Sequence, residues 1–454
     1  MRKYFGTDGI RRIANTELTP ELVYKVAKAG AYVLSKHTDH APTILIGRDT
    51  RISGTLIESA MVSGFLSYGA NVKLLGVIPT PAVAYLTRKL NADASVVISA
   101  SHNTFEFNGI KYFSNKGMKI PDSLEEEIEE VMDSGKINEL TAVSSKIGVS
   151  EYRADLLDEY VYFFRKNFDD NIEKINKEDF VVGIDTANGA TSVVAEKVFK
   201  SLGIKYKIIN NHPDGININE NCGSTHLEGL KKFVIDNELS LGIAYDGDGD
   251  RCLAVDEKGN LINGDFILML CAKYLKEIGK LKDDTLVVTV MSNLGLDIAA
   301  KKEGINIVKT SVGDRYVLEE MIKDNYVLGG EQSGHVIFLD YNTTGDGLVT
   351  ALQIASIVKK KETKLSELCS IMKELPQVLA NATIPNDKKN LYLTDEEIQN
   401  EIKKIEDALN GVGRVLIRPS GTEPLVRVMI EGEDQKYITE KAREIADLIE
   451  SKLK

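Results

Sequence analysis

Short apolar runs alternate with longer amphipathic stretches through most of the chain, and three segments repeat one outline. Each has an apolar run, a loop of small and polar residues, a helical stretch, and a Gly leading into a second apolar run. The first begins at Thr43-Ile44-Leu45-Ile46-Gly47, passes through Arg48-Asp49-Thr50-Arg51-Ile52-Ser53-Gly54, continues to Gly69 and ends in Val72-Lys73-Leu74-Leu75. The second begins at Val181-Val182-Gly183-Ile184-Asp185, turns at Asn188-Gly189 and returns after Gly203. The third begins at Leu286-Val287-Val288-Thr289-Val290, turns at Ser292-Asn293-Leu294-Gly295 and returns after Gly304. A crossover of that length suits parallel pairing of the two apolar runs, so the pattern predicts three related α/β domains with largely parallel or mixed sheets.

The tail breaks the pattern. A helical stretch near Glu396 to Leu409 is followed by a strand at Arg414-Val415-Leu416-Ile417, a second at Leu425-Val426-Arg427-Val428-Met429-Ile430, and a helix from about Gln435. This order predicts a separate, smaller α+β domain from Leu368 onward. The expected domains are therefore 1–150, 151–252, 253–367 and 368–454. A Glu-rich helix over 122–134 reads as a solvated face.

A chain of 454 residues exceeds what one hydrophobic core serves, in keeping with several domains. The apolar share of 43% and charged share of 27% are those of a globular protein, and no stretch approaches the roughly 20 apolar residues of a membrane span. No membrane partner is expected. The N-terminus, Met1-Arg2-Lys3-Tyr4-Phe5-Gly6-Thr7-Asp8, lacks the apolar core of a secretory signal. Cys222, Cys252, Cys271 and Cys369 stand in no CxxC spacing and read as reduced thiols, so a cytoplasmic location is expected. The net charge of −12 argues against a nucleic-acid partner, which needs a basic face. An anionic small molecule then has to meet a local cluster of Arg, Lys and backbone N–H groups.

Four loops carry chemistry. Ser99-Ala100-Ser101-His102-Asn103-Thr104 leaves the apolar run Ser95-Val96-Val97-Ile98 at the end where open α/β sheets place ligands. Ser101 is a candidate nucleophile, with His102 or Lys111 to assist it; alone, the loop reads more readily as a capped turn. Asp246-Gly247-Asp248-Gly249-Asp250-Arg251 lies between two apolar runs, and its alternate carboxylates offer a hard cation oxygen ligands. Glu257 falls at the twelfth position of a would-be calcium EF-hand. Arg251 at the sixth position, which needs Gly, and strand-like flanks exclude that motif. Mg²⁺ bridging to a phosphate oxygen fits better. Gly329-Gly330-Glu331-Gln332-Ser333-Gly334-His335 offers the groups that read sugar hydroxyls. Arg418-Pro419-Ser420-Gly421-Thr422-Glu423-Pro424, with Arg427 beyond it, forms the local positive cluster of a phosphate site. The basic turn Gly6-Thr7-Asp8-Gly9-Ile10-Arg11-Arg12 adds to it. A nucleophile, a metal site, a hydroxyl reader and a distant phosphate anchor suggest a mutase acting on a sugar phosphate rather than a phosphatase.

These four loops, in this order and across nearly the whole chain, resemble those of the α-D-phosphohexomutase family. The branch acting on glucosamine phosphates is most similar, through Phe5-Gly6-Thr7-Asp8-Gly9-Ile10-Arg11, Pro213-Asp214-Gly215-Ile216-Asn217-Ile218-Asn219, Cys222-Gly223-Ser224-Thr225-His226 and Glu331-Gln332-Ser333-Gly334-His335. Relatives acting on mannose or glucose phosphates typically carry Met at the Gln332 position. Thr104, where the family usually has Pro, and Arg12, where Gly usually follows Arg11, are departures that flank the chemical groups.

The resemblance implies three α/β domains and a C-terminal TATA-box-binding-protein-like domain around a central cleft. It implies an isomerase-class enzyme interconverting glucosamine 6-phosphate and glucosamine 1-phosphate, feeding UDP-N-acetylglucosamine synthesis, as a monomer or homodimer. Ser101 is then phosphorylated, and its phosphate holds Mg²⁺ together with Asp246, Asp248 and Asp250, beside Arg251. Arg11 and Lys111 handle protons or charge. Glu331, Ser333 and His335 contact the sugar, and Arg418, Ser420, Gly421, Thr422 and Arg427 hold phosphate. Phosphorylated Ser101 donates to O1 while a base such as Lys111 takes the hydroxyl proton. Glucosamine 1,6-bisphosphate forms, turns over, and returns its 6-phosphate to Ser101. The rivals are a mutase for mannose or glucose phosphates and a non-catalytic cation- or sugar-phosphate-binding protein.

Overall fold

The computed structural model describes residues 3–6, 8–172, 179–420 and 423–454. It divides into two compact units, Met1–Met291 with Ile305–Ser370, and Ser292–Gly304 with Ile371–Lys454.

The described residues of the larger unit form three sheets built on one plan. The first contains β1 (Ile10–Ile13), β2 (Thr43–Arg48), β3 (Asn71–Val77), β4 (Ala94–Ile98), β5 (Phe107–Ser114) and β6 (Ser150–Tyr152), in the order β1-β5-β4-β2-β3-β6. The second contains β7 (Val181–Asp185), β8 (Lys205–Ile209), β9 (Leu241–Tyr245), β10 (Cys252–Asp256) and β11 (Leu261–Ile262), in the order β11-β10-β9-β7-β8. The third contains β12 (Thr285–Thr289), β13 (Asn306–Thr310), β14 (Leu328–Gly330) and β15 (Val336–Phe338), in the order β13-β12-β14-β15. In each, a central strand pairs in parallel with two neighbours, and one of those neighbours pairs antiparallel with the next strand in sequence. The predicted strand–helix–strand units are the parallel pairs β2–β3, β7–β8 and β12–β13. The expected division at 150/151 falls inside β6, and that at 252/253 inside β10, whose partners β9 and β11 lie in the second sheet.

Burial explains the continuous apolar runs. All residues of β4, β9 and β12, each of which has a parallel neighbour, are buried, as expected where helices cover both faces of a sheet, and so are those of the antiparallel β10. In the first domain a helix over Pro20–Ser35 starts at Thr19, whose hydroxyl accepts the Leu22 N–H, with Pro20 in the first turn. It packs against a second helix, Gly54–Tyr68, through Ala27 and Gly64, where an added Cβ would stand 2.6 Å from Tyr24 O.

The smaller unit is an antiparallel sheet of β16 (Gln377–Thr383), β17 (Arg414–Pro419) and β18 (Leu425–Glu431), ordered β16-β18-β17. Helices Glu396–Leu409 and Gln435–Leu453 cover it through Ile398, Ile405, Ile438, Ile445 and Ile449. The helix Leu294–Lys302, reached from β12, belongs to this unit: Asn293 exchanges hydrogen bonds of 2.9 Å with the backbone of Leu375.

Candidate active site

The three repeats place their chemical loops equivalently. The Ser101 loop joins β4 to β5, the Asp246–Arg251 loop joins β9 to β10, and the Glu331–Ser333 loop joins β14 to β15. Each leaves the carboxyl end of a parallel strand and returns in its antiparallel neighbour, and the structure brings all three together. Ser101 Oγ donates to Asp246 Oδ2 at 2.7 Å, and the Cys252 N–H donates to Gly334 O at 3.0 Å.

Ser101 is 1% exposed and has φ 53°, a left-handed conformation that costs a non-glycine residue about 1–3 kcal/mol. Neighbouring hydrogen bonds hold it there. Its N–H donates to Ser99 Oγ at 2.9 Å, and Ser99 Oγ donates to Asp49 Oδ2 at 2.6 Å. Arg51, 1% exposed, spends its whole guanidinium on this loop. Nε binds Asp49 Oδ2 at 2.8 Å, Nη1 binds the carbonyls of Thr104 and Phe107, and Nη2 binds those of Ser101 and Asn103 at 3.0 and 2.8 Å. His102 Nδ1 stands 3.3 Å from Ser101 Oγ. Burial, then the cations of Arg251 and Arg11, push its pKa down to about 4, so the ring is neutral at pH 7.

The carboxylates of Asp246, Asp248 and Asp250 are buried, with one oxygen of each within 4.8 Å of the others. Asp246 Oδ1 accepts the N–H groups of Gly249 and Arg251 at 3.1 and 3.2 Å, which turns Oδ2 toward Ser101. Asp248 Oδ2 is taken by Thr80 Oγ1 at 2.6 Å and Lys111 Nζ at 3.0 Å. Asp248 Oδ1 and Asp250 Oδ1 are buried without a hydrogen-bond partner. Buried anionic oxygens are costly unless compensated, so this donor set fits a hard divalent cation. Burial and repulsion from Asp250 and Asp248 push the Asp246 pKa well above the carboxylate range. Against its own burial, Lys111 and His335 hold Asp250 below that range. Antiparallel strands flank the loop, and Glu257 is occupied by Ser366 Oγ at 2.5 Å, which removes the EF-hand alternative.

Around this centre runs a ring of charge that sequence reasoning only partly found. Lys111 Nζ lies 3.0 Å from Asp248, 3.1 Å from Asp8 and 3.9 Å from Asp250. Although burial lowers its pKa, these carboxylates raise it further, which keeps Lys111 protonated and suits it to stabilising charge rather than to accepting a proton. Lys119 bridges Asp8 at 2.5 Å and Asp314 at 2.7 Å. Arg11 binds Asp8 at 2.9 Å and Asn103 Oδ1 at 3.0 Å, whereas Arg12 turns to Lys3 O. The N-terminal turn signalled Asp8; nothing in the pattern signalled Lys119, Asp314 or Thr80, which stand apart from the chemical loops.

His335, expected as a sugar contact, stands against the acidic loop. It is 2% exposed, with Nδ1 3.6 Å from Asp250 and Nε2 3.4 Å from Asp314, and Nε2 accepts the Gly345 N–H at 2.9 Å. It braces the metal loop. Glu331 and Ser333 remain partly exposed, with Glu331 Oε1 accepting the Gly313 N–H at 3.2 Å and Oε2 lying 3.5 Å from Ser333 Oγ.

In the smaller unit Arg418 and Arg427 face each other across β17 and β18. Directly opposed like charges destabilise a sheet unless an anion lies between them, and burial, then Arg427, lowers the Arg418 pKa. Arg427 binds Glu423 at 2.9 Å, and Ser420 Oγ accepts the Glu423 N–H at 3.1 Å. Lys389, unremarked in the sequence, donates to Ser420 O at 2.6 Å. Gly421 and Thr422 lie outside the described residues.

Comparison with known proteins agrees with this organisation. Residues 2–139, 158–259 and 263–375 match the phosphoglucomutase/phosphomannomutase alpha/beta/alpha domains I, II and III, and residues 379–448 match the C-terminal domain. The chain is 65% identical over 452 residues to a phosphoglucosamine mutase of Clostridium beijerinckii, and 59% identical over 454 residues to one of Clostridium kluyveri, covering 100% of each chain. Its fold superposes on that of a phosphoglucomutase/phosphomannomutase family protein from Burkholderia thailandensis with a TM-score of 0.80 at 20% identity, covering 100% of this chain and 99% of that one. The Aspergillus fumigatus N-acetylphosphoglucosamine mutase, solved in complex with GlcNAc-6P and magnesium, gives a TM-score of 0.70 at 17% identity, covering 99% of this chain and 96% of that one. With four domains matched in order and full-length relatives at such identity, the chain belongs to the phosphoglucomutase/phosphomannomutase family.

Proposed function

We propose that the chain interconverts glucosamine 6-phosphate and glucosamine 1-phosphate, with Ser101 carrying the phosphoryl group and glucosamine 1,6-bisphosphate as the intermediate. The observation that carries the chemistry is the 2.7 Å contact of Ser101 Oγ with Asp246, inside a buried trio of carboxylates. The substrate rests on the relatives named phosphoglucosamine mutase.

Asp246 Oδ2, Asp248 Oδ1 and Asp250 Oδ1 are the oxygens available to hold Mg²⁺. Bound there, Mg²⁺ supplies neutralisation of the phosphoryl oxygens during transfer. Lys111 contributes a fixed positive charge beside the reacting group. Neutral His102 is placed to take or return the Ser101 proton. Glu331 and Ser333 orient the sugar through its hydroxyls. Burial of Ser101 keeps water from its phosphate, so the group passes between serine and sugar rather than being hydrolysed. The hairpin of Arg418, Ser420 and Arg427 binds phosphate through charge-assisted hydrogen bonds.

Phosphorus NMR with glucosamine 6-phosphate, Mg²⁺ and a catalytic hexose bisphosphate tests the reading, together with intact mass of the wild type and Ser101→Ala. A phosphoryl adduct lost only in Ser101→Ala, with glucosamine 1-phosphate formed, is expected. Conversion of mannose 6-phosphate but not of glucosamine 6-phosphate would refute the substrate. An adduct that survives Ser101→Ala would refute the carrier.

A further inference from the structure

Asn219 lies in the second domain, between β8 and β9, and is 3% exposed. Its side-chain amide donates both of its hydrogens to the first domain's loop, to Ser101 O and Asn103 O, each at 2.8 Å. Those same carbonyls are the ones that accept Arg51 Nη2. Two carbonyls with two lone pairs each therefore meet two donors with two N–H groups each, a closed square with every valence used. The metal loop closes over this square. A Cβ on Gly247 would stand 2.5 Å from Ser101 O and 2.8 Å from Asn219 Nδ2, so only glycine lets the metal loop pack there.

Arg51 belongs to the loop's own domain and holds it from within. Asn219 is the member contributed from outside, and it is itself fixed by its N–H donating to Ala187 O at 2.9 Å. We propose that Asn219 is a positioning residue that fixes the left-handed conformation of Ser101, and so makes the geometry of the phosphoryl carrier depend on the second domain being in place. The proposal rests on the reading of Ser101 as that carrier. With both hydrogens of Asn219 removed, each carbonyl keeps one partner. The loop then remains folded but gains freedom to rotate the Ser101 carbonyl, and Oγ leaves the direction of Asp246. Such misplacement acts on the chemical step and not on sugar binding, and a shift of about 1 Å lowers turnover by on the order of 100-fold.

The test compares Asn219→Ala and Asn219→Asp with Thr50→Val in the full chain. Thr50 Oγ1 donates to Asn188 O at 2.6 Å, a contact between the same two domains that does not touch the Ser101 loop. Steady-state kinetics on glucosamine 6-phosphate, the rate of Ser101 phosphorylation from the bisphosphate followed by intact mass, and thermal midpoints are measured for each. Both Asn219 variants are expected to lose about 10- to 100-fold in kcat and in phosphorylation rate, with KM within about threefold. Asn219→Asp keeps the volume but sets a carboxyl against the two carbonyls, so it is read beside Asn219→Ala, which removes the donors without adding charge. Thr50→Val is expected to shift the thermal midpoint while keeping kcat. An unchanged kcat in both Asn219 variants, a loss confined to KM, or an equal loss of kcat in Thr50→Val overturns the proposal. A wild type that carries no phosphoryl adduct and turns nothing over overturns the functional reading instead.

Discussion

Replacing Arg51 by Met tests whether the Ser101 loop is held by a buried ion pair or only by packing. Asp49 is fully buried, and Arg51 Nε is its ionic partner at 2.8 Å. The remaining contacts of its carboxylate are uncharged, from Ser99 Oγ at 2.6 Å and the Arg51 N–H at 3.0 Å. Removing the guanidinium strands that carboxylate, and breaking one side of a buried pair costs about 3–5 kcal/mol. In a domain of roughly 150 residues each kcal/mol moves the midpoint by about 2–4 °C, so a fall of about 6–20 °C is expected in the first calorimetric transition. Asn at position 49 keeps the acceptor oxygen without the charge. Asp49→Asn in the Arg51→Met background should then recover about 2–3 kcal/mol relative to additivity, because the stranded charge is gone. Arg51→Lys should recover stability through its charge, yet leave kcat more than about tenfold low, because one ammonium cannot reach four carbonyls. All variants are scanned at one rate, since a chain of several domains has no single unfolding free energy. Effects of Asp49→Asn and Arg51→Met that add within about 0.5 kcal/mol would refute the ion-pair account.

Three further outcomes follow from the same geometry. The His102 pKa falls from 6.5 to about 4 on folding, so the unfolded chain binds the extra proton first. Its contribution to stability is full above pH 6.5 and is lost progressively toward pH 4; between pH 7 and 5 the thermal midpoint of His102→Gln should drop less than that of the wild type. Mg²⁺ at 100 times its dissociation constant should stabilise the wild type by about 2.7 kcal/mol. EDTA should reverse the gain, and in a thermal-shift titration Asp248→Asn should show little of it. Loss of a charged hydrogen bond of about 1.5–3 kcal/mol predicts that Arg427→Ala raises KM for the sugar phosphate about 10- to 100-fold. Its thermal midpoint should hardly change, since the like-charge pair with Arg418 is relieved; an unaltered KM would remove the hairpin from phosphate binding.

The sequence made the repeats legible because the first strand of each, β2, β7 or β12, is buried over most or all of its length, and a buried strand appears as an unbroken apolar run. β16 escaped for the opposite reason. Its inward positions are Val378, Ala380 and Ala382, its outward Leu379 is 53% exposed, and two alanines give too little contrast to mark a face. The chemical loops were legible where one short segment carries several reactive groups, as at Asp246–Arg251. Groups that act singly were not. Thr80 opens a helix, Lys119 follows β5, and Asn219 sits in a stretch read only for its family resemblance; only the fold shows that Thr80 reaches Asp248, Lys119 reaches Asp8 and Asn219 reaches the Ser101 carbonyl. His335 was expected at the sugar because it ends a loop of hydroxyl-reading groups and matches a sugar contact of the family the chain resembles. Its burial follows from the return of β15 behind the metal loop, which no local pattern encodes.

The arrangement also resolves how a chain of net charge −12 receives an anionic sugar phosphate. Around Ser101 stand the carboxylates of Asp8, Asp246, Asp248, Asp250 and Asp314, opposed by Lys111, Lys119, Arg11 and Arg251. Burial lowers the His335 pKa, but Asp314 and Asp250 on either side raise it above the ordinary imidazole value. Acidic and basic groups nearly balance here, so the cluster offers phosphate no large excess of positive charge. Burial, then repulsion from Asp250 and Asp248, raises the Asp246 pKa well above the carboxylate range, which marks the cost of holding three carboxylates together without a cation. A divalent cation held by Asp246, Asp248 and Asp250 would offset that repulsion and add positive charge next to Ser101, which would favour a phosphoryl group there. Lys111 cannot substitute for the cation, because its charge is already committed to Asp8 and Asp248. Metal binding would thus couple to phosphoryl acceptance through charge within the buried cluster, whatever the sign of the protein surface.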